Sequence, residues 1–289
     1  MCEFCNKHGE GKKWYLQMRN YSQELVSAEL TPVQQRFSGV RSRAEWLDRF
    51  MRSFVMVSSN PEIPEAPVSS RPGRKRPSDE AITRGAKIVH FGQIVPLKDV
   101  EEVLDQMTSI TRFPCGCRIE SIGKADRRYC FGLGYDPTGL MGRYPDRSAS
   151  LEVIGREEAK RIFREFDQDG LIHSIWTGVT PFVIGICNCD RDCMAYRTSI
   201  TNDGPATFFR AEYVAEVDAH RCTGCRSCMK QCQFGAQFFS HALGKVFIDP
   251  ARCFGCGVCM APCVKDAIRL VPRQEHPVAK EIWLKKPKT

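Results

Sequence analysis

The hydrophobic and polar positions of the chain predict helices first and a mixture of strands and helices later. Apolar residues recur at helical spacing over residues 21–30 and 43–57, and Thr31-Pro32 is typical of a helix start. Further along, strands are predicted at residues 88–95, 151–154, 171–176 and 182–186, and helices at 96–110 and Arg156–Gln168. The predicted fold class is therefore α+β.

Eight cysteines near the C-terminal end follow one spacing, C-x2-C-x2-C-x3-C, used twice. The first run is Cys222, Cys225, Cys228 and Cys232, and the second is Cys253, Cys256, Cys259 and Cys263. This is the ligand spacing of chains that hold two 4Fe-4S clusters. Structural zinc is the alternative, but zinc sites usually use two separated cysteine pairs with no third cysteine two residues on.

Residues 210–271, which contain both runs, resemble the bacterial-type ferredoxin domain with two 4Fe-4S clusters. The resemblance implies two similar halves, each with a strand leading into a cysteine loop, at Tyr213–Val217 and at residues 245–249. It also implies that the fourth cysteine of each run ligates the cluster of the other run. The implied ligand sets are Cys222, Cys225, Cys228 with Cys263, and Cys253, Cys256, Cys259 with Cys232. Gln233 and Val264 stand where the family usually has proline.

Six more cysteines lie in the middle of the chain, in two C-x-C pairs and two single positions: Cys115, Cys117, Cys130, Cys187, Cys189 and Cys193. On an extended backbone, both side chains of a C-x-C pair face one way. The two pairs, Cys115 with Cys117 and Cys187 with Cys189, are therefore a candidate third metal site. Cys130, Cys193 and His173 are lesser candidates. Soft thiolates favour an iron–sulfur cluster over zinc, and redox-active or inert buried thiols remain as alternatives.

Three short motifs in this middle segment resemble the middle region of larger multidomain ferredoxin-like proteins. They are PC-x-CR at residues 114–118, Gly-Leu-Ile-His at 170–173 and ICNC at 186–189. The resemblance implies a shared site rather than a stated activity. Separately, Cys2, Cys5 and His8 supply too few ligands for a site of their own.

These patterns divide the chain into five predicted parts. They are a helical N-terminal region at 1–57, a proline-rich basic linker or arm at 58–86, an α/β cysteine-containing domain at 87–209, the ferredoxin-like domain at 210–271 and a basic tail at 272–289.

The composition of the chain limits the cellular compartment and the partners that are expected for it. Sixteen cysteines without a secretory leader predict a reducing compartment, the cytoplasm, and oxygen-sensitive clusters suit an anaerobic organism. No apolar run reaches the length of a membrane span. The net charge of +8 favours a redox partner with an acidic docking face. The basic residues are scattered without interleaved aromatic residues, so nucleic acid is not a predicted partner.

The leading functional hypothesis is an electron-transfer iron–sulfur protein that relays single electrons through two 4Fe-4S clusters as a subunit or partner of a larger oxidoreductase. One alternative is an oxidoreductase whose catalytic centre is the middle cysteine site. A redox-sensing iron–sulfur protein is the other. The sequence assigns no catalytic residue.

Overall fold

The computed structural model describes residues 3–50, 92–124, 126–134, 151–201 and 208–284, with a few positions between 78 and 90. Most of the predicted linker at 58–86 lies outside these ranges, as do residues 51–57 of a predicted helix. The helices of the N-terminal part are shorter and more numerous than predicted. Its helices are Glu3–His8, Gln23–Ser27, Pro32–Ser38 and residues 43–50, with 3-10 turns at Trp14–Leu16 and Met18–Tyr21. Thr31 and Gln34 form a capping box that begins the helix predicted there.

A seven-stranded sheet occupies the middle of the chain. Its strands are β1 Gly92–Ile94, β2 Ile110–Phe113, β3 Cys130–Leu133, β4 Glu152–Ile154, β5 Ile172–Thr177, β6 Val183–Cys189 and β7 Phe208–Phe209. Their order is β4-β2-β3-β6-β5-β1-β7, and every pairing is antiparallel except that of β1 with β7. The expected α/β domain is therefore an α+β arrangement, since an α/β domain has mainly parallel strands.

Two helices, Leu97–Gln106 and Arg156–Gln168, cover one face of this sheet. Val103 and Phe163 from these helices share an apolar core with Phe131 and Ile186 from the sheet. The second helix has the predicted bounds. The first is shorter than the predicted 96–110 because the chain enters β2 at Ile110. Cys130, Cys187 and Cys189 lie on the opposite face of the sheet, together with Ile172 and Trp176 of β5.

The C-terminal part consists of two antiparallel strand pairs and the short helix Ser227–Gln231. Strand β8, Tyr213–Val217, pairs with β11, Ile268–Pro272, and β9, Gln237–Ser240, pairs with β10, Lys245–Ile248. As the resemblance implies, β8 leads into the first cysteine run and β10 into the second. Within the described ranges, no helix is long and apolar enough to cross a bilayer.

One buried carboxylate joins three separate parts of the chain. Asp99, in the helix Leu97–Gln106, accepts hydrogen bonds from Lys13 Nζ at 2.9 Å, from the Tyr15 hydroxyl at 2.6 Å and from the Tyr213 hydroxyl at 3.1 Å. Its side chain has no solvent exposure. Asp99 therefore connects the N-terminal turn, the sheet-covering helix and the first strand of the C-terminal part.

We expect Asp99→Ala to lower the free energy of unfolding by about 3–5 kcal/mol, since it leaves a lysine and two hydroxyls partly buried without their acceptor. Anaerobic urea denaturation followed by circular dichroism measures the change. Glu165→Ala is the control because, among the described residues, Glu165 pairs only with Arg161 and both side chains are exposed, so it should cost less than about 1 kcal/mol. Equal losses in the two variants would contradict the role given to Asp99.

Candidate metal centres

The eight cysteines of the C-terminal part line two separate cavities, four to each. Cys222, Cys225, Cys228 and Cys263 line the first, which we call the outer cavity. Cys253, Cys256, Cys259 and Cys232 line the second, which we call the inner cavity. Each cavity thus combines three cysteines of one run with the fourth cysteine of the other.

The backbone of each loop lies very close to a neighbouring segment, which requires glycine. Gly224 and Gly255 have φ values of +71° and +72°, in the left-handed region that glycine tolerates best. A Cβ on Gly255 would lie 2.0 Å from the carbonyl oxygen of Tyr213, and one on Gly224 would lie 2.1 Å from that of Gly244. Both glycines therefore allow a strand or turn to pack directly against a cysteine loop.

Backbone amides donate to the sulfurs of both cavities. The amides of Ala215 and Gly255 each lie 3.4 Å from Cys253 Sγ. The Ala236 amide lies 3.4 Å from Cys232 Sγ, and the Ala267 amide lies 3.3 Å from Cys263 Sγ. The last two bonds occupy equivalent positions, four residues beyond the fourth cysteine of each run. Such donors stabilise charge on the sulfurs and thereby set the potential of a bound cluster.

The two cavities differ in their access to solvent. Cys225 of the outer cavity is exposed, whereas Cys253, Cys256 and Cys259 of the inner cavity are buried. Burial raises the pKa of Cys256 and, with Cys263 nearby, raises that of Cys228 to about 11. These thiols therefore keep their protons until a metal centre displaces them. The set of four cysteines around each cavity suits one 4Fe-4S cluster, which takes one thiolate per iron.

The six middle cysteines form one continuous group of thiols, which we call the six-cysteine array. The sulfurs of Cys130 and Cys187 lie 3.5 Å apart, and those of Cys189 and Cys193 lie 3.4 Å apart. Cys115 contacts the Cys117 and Cys130 thiols, and Cys117 contacts that of Cys193. The structure thus brings Cys130 and Cys193 into the group on the same footing as the two C-x-C pairs.

Two different local structures position the two C-x-C pairs. Cys187 and Cys189 lie on one face of β6, as expected for an extended backbone, and Cys130 is paired directly with Cys187 in the sheet. Cys115 instead immediately precedes the helix Gly116–Ile122, and Cys117 lies in its first turn. The expectation of an extended backbone therefore holds for one pair only.

A buried arginine lies beside the array, and sequence reasoning did not single it out. Arg118 Nη1 donates to Cys115 Sγ at 3.4 Å and to the carbonyl oxygen of Asn188 at 3.2 Å, and Nη2 lies 2.8 Å from Asp190 Oδ1. Burial alone would lower the pKa of Arg118, but the Cys115 and Asp190 charges raise it above its usual range. Hydrogen bonds from Cys117 and Cys130, followed by the Arg118 charge, lower the pKa of Cys115. Arg118 belongs to the PC-x-CR motif, and this motif is the sequence feature that could have identified it.

His173 is not brought to the array. Its ring packs 5.4 Å from that of Phe163 on the helix-covered face of the sheet. Its Nδ1 bonds the Asn188 side chain at 2.6 Å, and its Nε2 lies 3.6 Å from Asp167 Oδ1. The alternation of β5 is the reason, because Ser174, the next residue, faces the cysteines and lies 3.7 Å from Cys189 Sγ.

The N-terminal thiol is also separate from these sites. Cys5 is buried and donates to Glu212 Oε1 at 3.0 Å, while Cys2 lies outside the described residues. Burial lowers the pKa of His8 to about 4. Over the described ranges, no three histidine, cysteine, aspartate or glutamate side chains are placed to hold a single metal ion. This includes the six-cysteine array and both cavities. In a cluster, each of the four sulfurs around a cavity would meet a different iron.

The array and the inner cavity share one apolar cluster. It contains Cys189, Cys193 and Tyr196 from the middle segment, and Phe234, Phe254 and Cys256 from the C-terminal part. The Tyr196 hydroxyl donates to the Gln233 carbonyl oxygen, and the Phe234 and Phe254 rings stack at 4.0 Å. The inner cavity therefore faces the array, and the outer cavity faces solvent.

Two cavities with four cysteines each define an iron–sulfur protein with an electron-transfer role. In agreement, residues 221–268 match the family model of the 4Fe-4S dicluster domain, so iron–sulfur clusters are the cofactors of this segment. A stretch of 35 residues is 49% identical to the Hdr-like menaquinol oxidoreductase iron-sulfur subunit 1 of Archaeoglobus fulgidus. It covers 12% of this chain and 13% of that protein. No solved structure matches the chain.

Proposed function

We propose that this chain relays single electrons through two 4Fe-4S clusters, one in each cavity. The ligands would be Cys222, Cys225, Cys228 and Cys263 in the outer cavity, and Cys253, Cys256, Cys259 and Cys232 in the inner one. The observation that carries the proposal is the composition of each cavity, with three cysteines from one run and one from the other. A bound cluster supplies one-electron chemistry. The chain supplies the thiolates, the amide donors and the exclusion of water from the inner site.

We further propose that the chain works within a larger oxidoreductase, in a reducing compartment such as the cytoplasm. The short match to a subunit of a menaquinol oxidoreductase supports the first part of this proposal, the larger oxidoreductase. A redox partner with an acidic docking face would fit the outer cavity, because Arg226 and Lys265 line it and are exposed. Opposite charges there would steer the partner towards the more accessible cluster.

The six-cysteine array is proposed as a third iron–sulfur centre, with Cys115, Cys117, Cys187 and Cys189 as its first candidate ligands. Contact among all six thiols supports it and gives Cys130 and Cys193 the same standing. Zinc is the alternative occupant. A catalytic role for the array is a second candidate function, because six thiols exceed the four ligands of a single cluster.

Anaerobic measurement of iron, sulfide and zinc, combined with EPR, tests these proposals. We expect about twelve irons per chain, and about eight in the double variant Cys115→Ala/Cys187→Ala, given four irons per cluster. Cys5→Ala is the matched control, because it removes a buried thiol outside both cavities and the array, and its iron content should equal that of the wild type. About eight irons in both wild type and double variant would contradict a third cluster. One zinc per chain that only the double variant loses would identify a zinc site.

A further inference from the structure

Arg273 is fully buried beside the inner cavity and holds its backbone in place. Its Nε donates to the Ala211 carbonyl oxygen at 2.7 Å. Its Nη2 donates to the carbonyl oxygens of Tyr213 at 2.7 Å and Cys253 at 2.9 Å. All of these acceptors are neutral carbonyl oxygens, so they orient the guanidinium group without supplying a negative charge.

Arg210 is a second fully buried arginine, and it packs against Phe254, which lines the inner cavity. Its Nη2 donates to the Ala251 carbonyl oxygen at 3.0 Å, and its guanidinium group lies 4.0 Å from the centre of the Phe254 ring. Its Nε and Nη1 are buried and have no hydrogen-bond partner among the described residues. Two buried donors of a charged group without acceptors are costly, so this arrangement calls for a compensating negative charge.

The described protein groups supply little of that charge. Among the described residues, neither arginine is within ion-pair distance of a carboxylate, although Asp249 lies near Arg210 and Glu212 lies near Arg273. Burial, and then the charge of Arg273, lower the pKa of Arg210 to about 9, and burial lowers that of Arg273 to about 10. An arginine side chain is charged at neutral pH. The Arg273 guanidinium group donates to the carbonyl oxygen of Cys253, and that of Arg210 lies over the ring of Phe254; both Cys253 and Phe254 line the inner cavity.

A 4Fe-4S cluster held by four thiolates is anionic and gains one more negative charge when it is reduced. A buried positive charge favours the reduced form, because Coulomb interactions are strong where water is excluded. The outer cavity has basic neighbours too, but Arg226 and Lys265 are exposed and screened by solvent. The positive charges beside the inner cavity are therefore buried, whereas those beside the outer cavity are exposed to solvent.

We propose that the buried positive charges of Arg210 and Arg273 raise the reduction potential of the inner cluster. These charges favour the transferred electron on the inner cluster, next to the six-cysteine array. This inference rests on the proposed function, because it needs a cluster in the inner cavity.

The test is an EPR-monitored redox titration of the full chain carrying Arg210→Gln, Arg210→Lys or, as the matched control, Arg226→Gln. Arg210→Gln removes the charge and keeps an amide that can donate to Ala251. We expect its inner cluster to become at least tenfold harder to reduce, which is 59 mV for a one-electron couple. Arg210→Lys should shift it by less than half as much, and Arg226→Gln should leave it near the wild-type value. Cys225→Ser, which changes a ligand of the outer cluster only, identifies the outer signal.

An unchanged inner potential in Arg210→Gln, with full iron content, would overturn the inference and leave the electron-transfer proposal intact. An equal shift in Arg226→Gln would also overturn it, since the effect would then follow net charge alone. If Arg210→Gln loses iron while Arg210→Lys retains it, the charge at position 210 attracts the anionic inner cluster, which supports the inference. Loss of iron from both variants would show that Arg210 acts through packing and would overturn the inference. A wild-type protein with fewer than about eight irons would instead refute the proposed function.

Discussion

Gly255→Ala should empty the inner cavity of iron. The new Cβ would lie 2.0 Å from the carbonyl oxygen of Tyr213 and 3.1 Å from the Cβ of Ala211. Tyr213 cannot move away easily, because β8 pairs with β11 along its whole length and Arg273 binds the same oxygen. The loop must therefore shift by far more than a rotamer change, and we expect the loss of about four irons per chain. Iron analysis and EPR of anaerobically purified protein measure the loss.

Gly257→Ala is the control for this prediction because it lies in the same loop. Gly257 also has a positive φ, +85°, but its added Cβ would meet only Leu270 Cδ1 at 3.4 Å and Pro96 Cβ at 3.5 Å. It should therefore cost about 1–2 kcal/mol for the left-handed conformation and keep its iron. Full iron content in Gly255→Ala would show that the close approach to Tyr213 is not required for cluster binding.

Cys232→Ala should resemble Cys256→Ala in its iron content and EPR spectrum, and it should differ from Cys228→Ala. Cys232 follows Cys228 closely in the sequence but lines the inner cavity with Cys256, while Cys228 lines the outer one. Cys232→Ala and Cys256→Ala should each lose about four irons and leave the same outer cluster. Cys228→Ala should leave the inner cluster.

The spectra distinguish crossed from uncrossed ligation directly. If Cys232→Ala left the same surviving signal as Cys228→Ala, each run would hold its own cluster and the proposed ligand sets would be wrong. Cys263→Ala extends the comparison, because it is the fourth cysteine of the second run and lies in the outer cavity. It should therefore behave as Cys228→Ala does.

Local patterns in the sequence predicted those features that depend on neighbouring residues. The helix Arg156–Gln168 and the strand Tyr213–Val217 have their predicted bounds, because hydrophobic periodicity reflects the face that each element buries. Strands β2 and β3 were missed. Both are buried almost throughout, so neither shows the alternation of polar and apolar residues that predicts a half-buried strand. The helix predicted at 21–30 is shorter in the structure, where it spans Gln23–Ser27.

The six-cysteine array contains features that spacing along the sequence did not predict. The sequence identified Cys115, Cys117, Cys187 and Cys189 as one group from their spacing. Cys130, Cys193 and His173 were lesser candidates, because a single residue outside a C-x-C pair has no spacing from which its role can be predicted. In the structure, strand register brings Cys130 beside Cys187. Strand alternation turns His173 to the other face of the sheet.

The sequence by itself determined the cofactor class, because the spacing of each run already brings three thiolates into one loop. The ferredoxin resemblance already implied that the fourth cysteine of each run is shared with the other run, whereas the tertiary structure alone decided which cavity is more buried and which lies next to the six-cysteine array. It also decided that Arg210 and Arg273 lie beside the inner cavity. These features depend on segments far apart in the sequence, joined by strand pairing and burial. The charge around a metal site is a sum over neighbours in space, and spacing along the chain does not encode it.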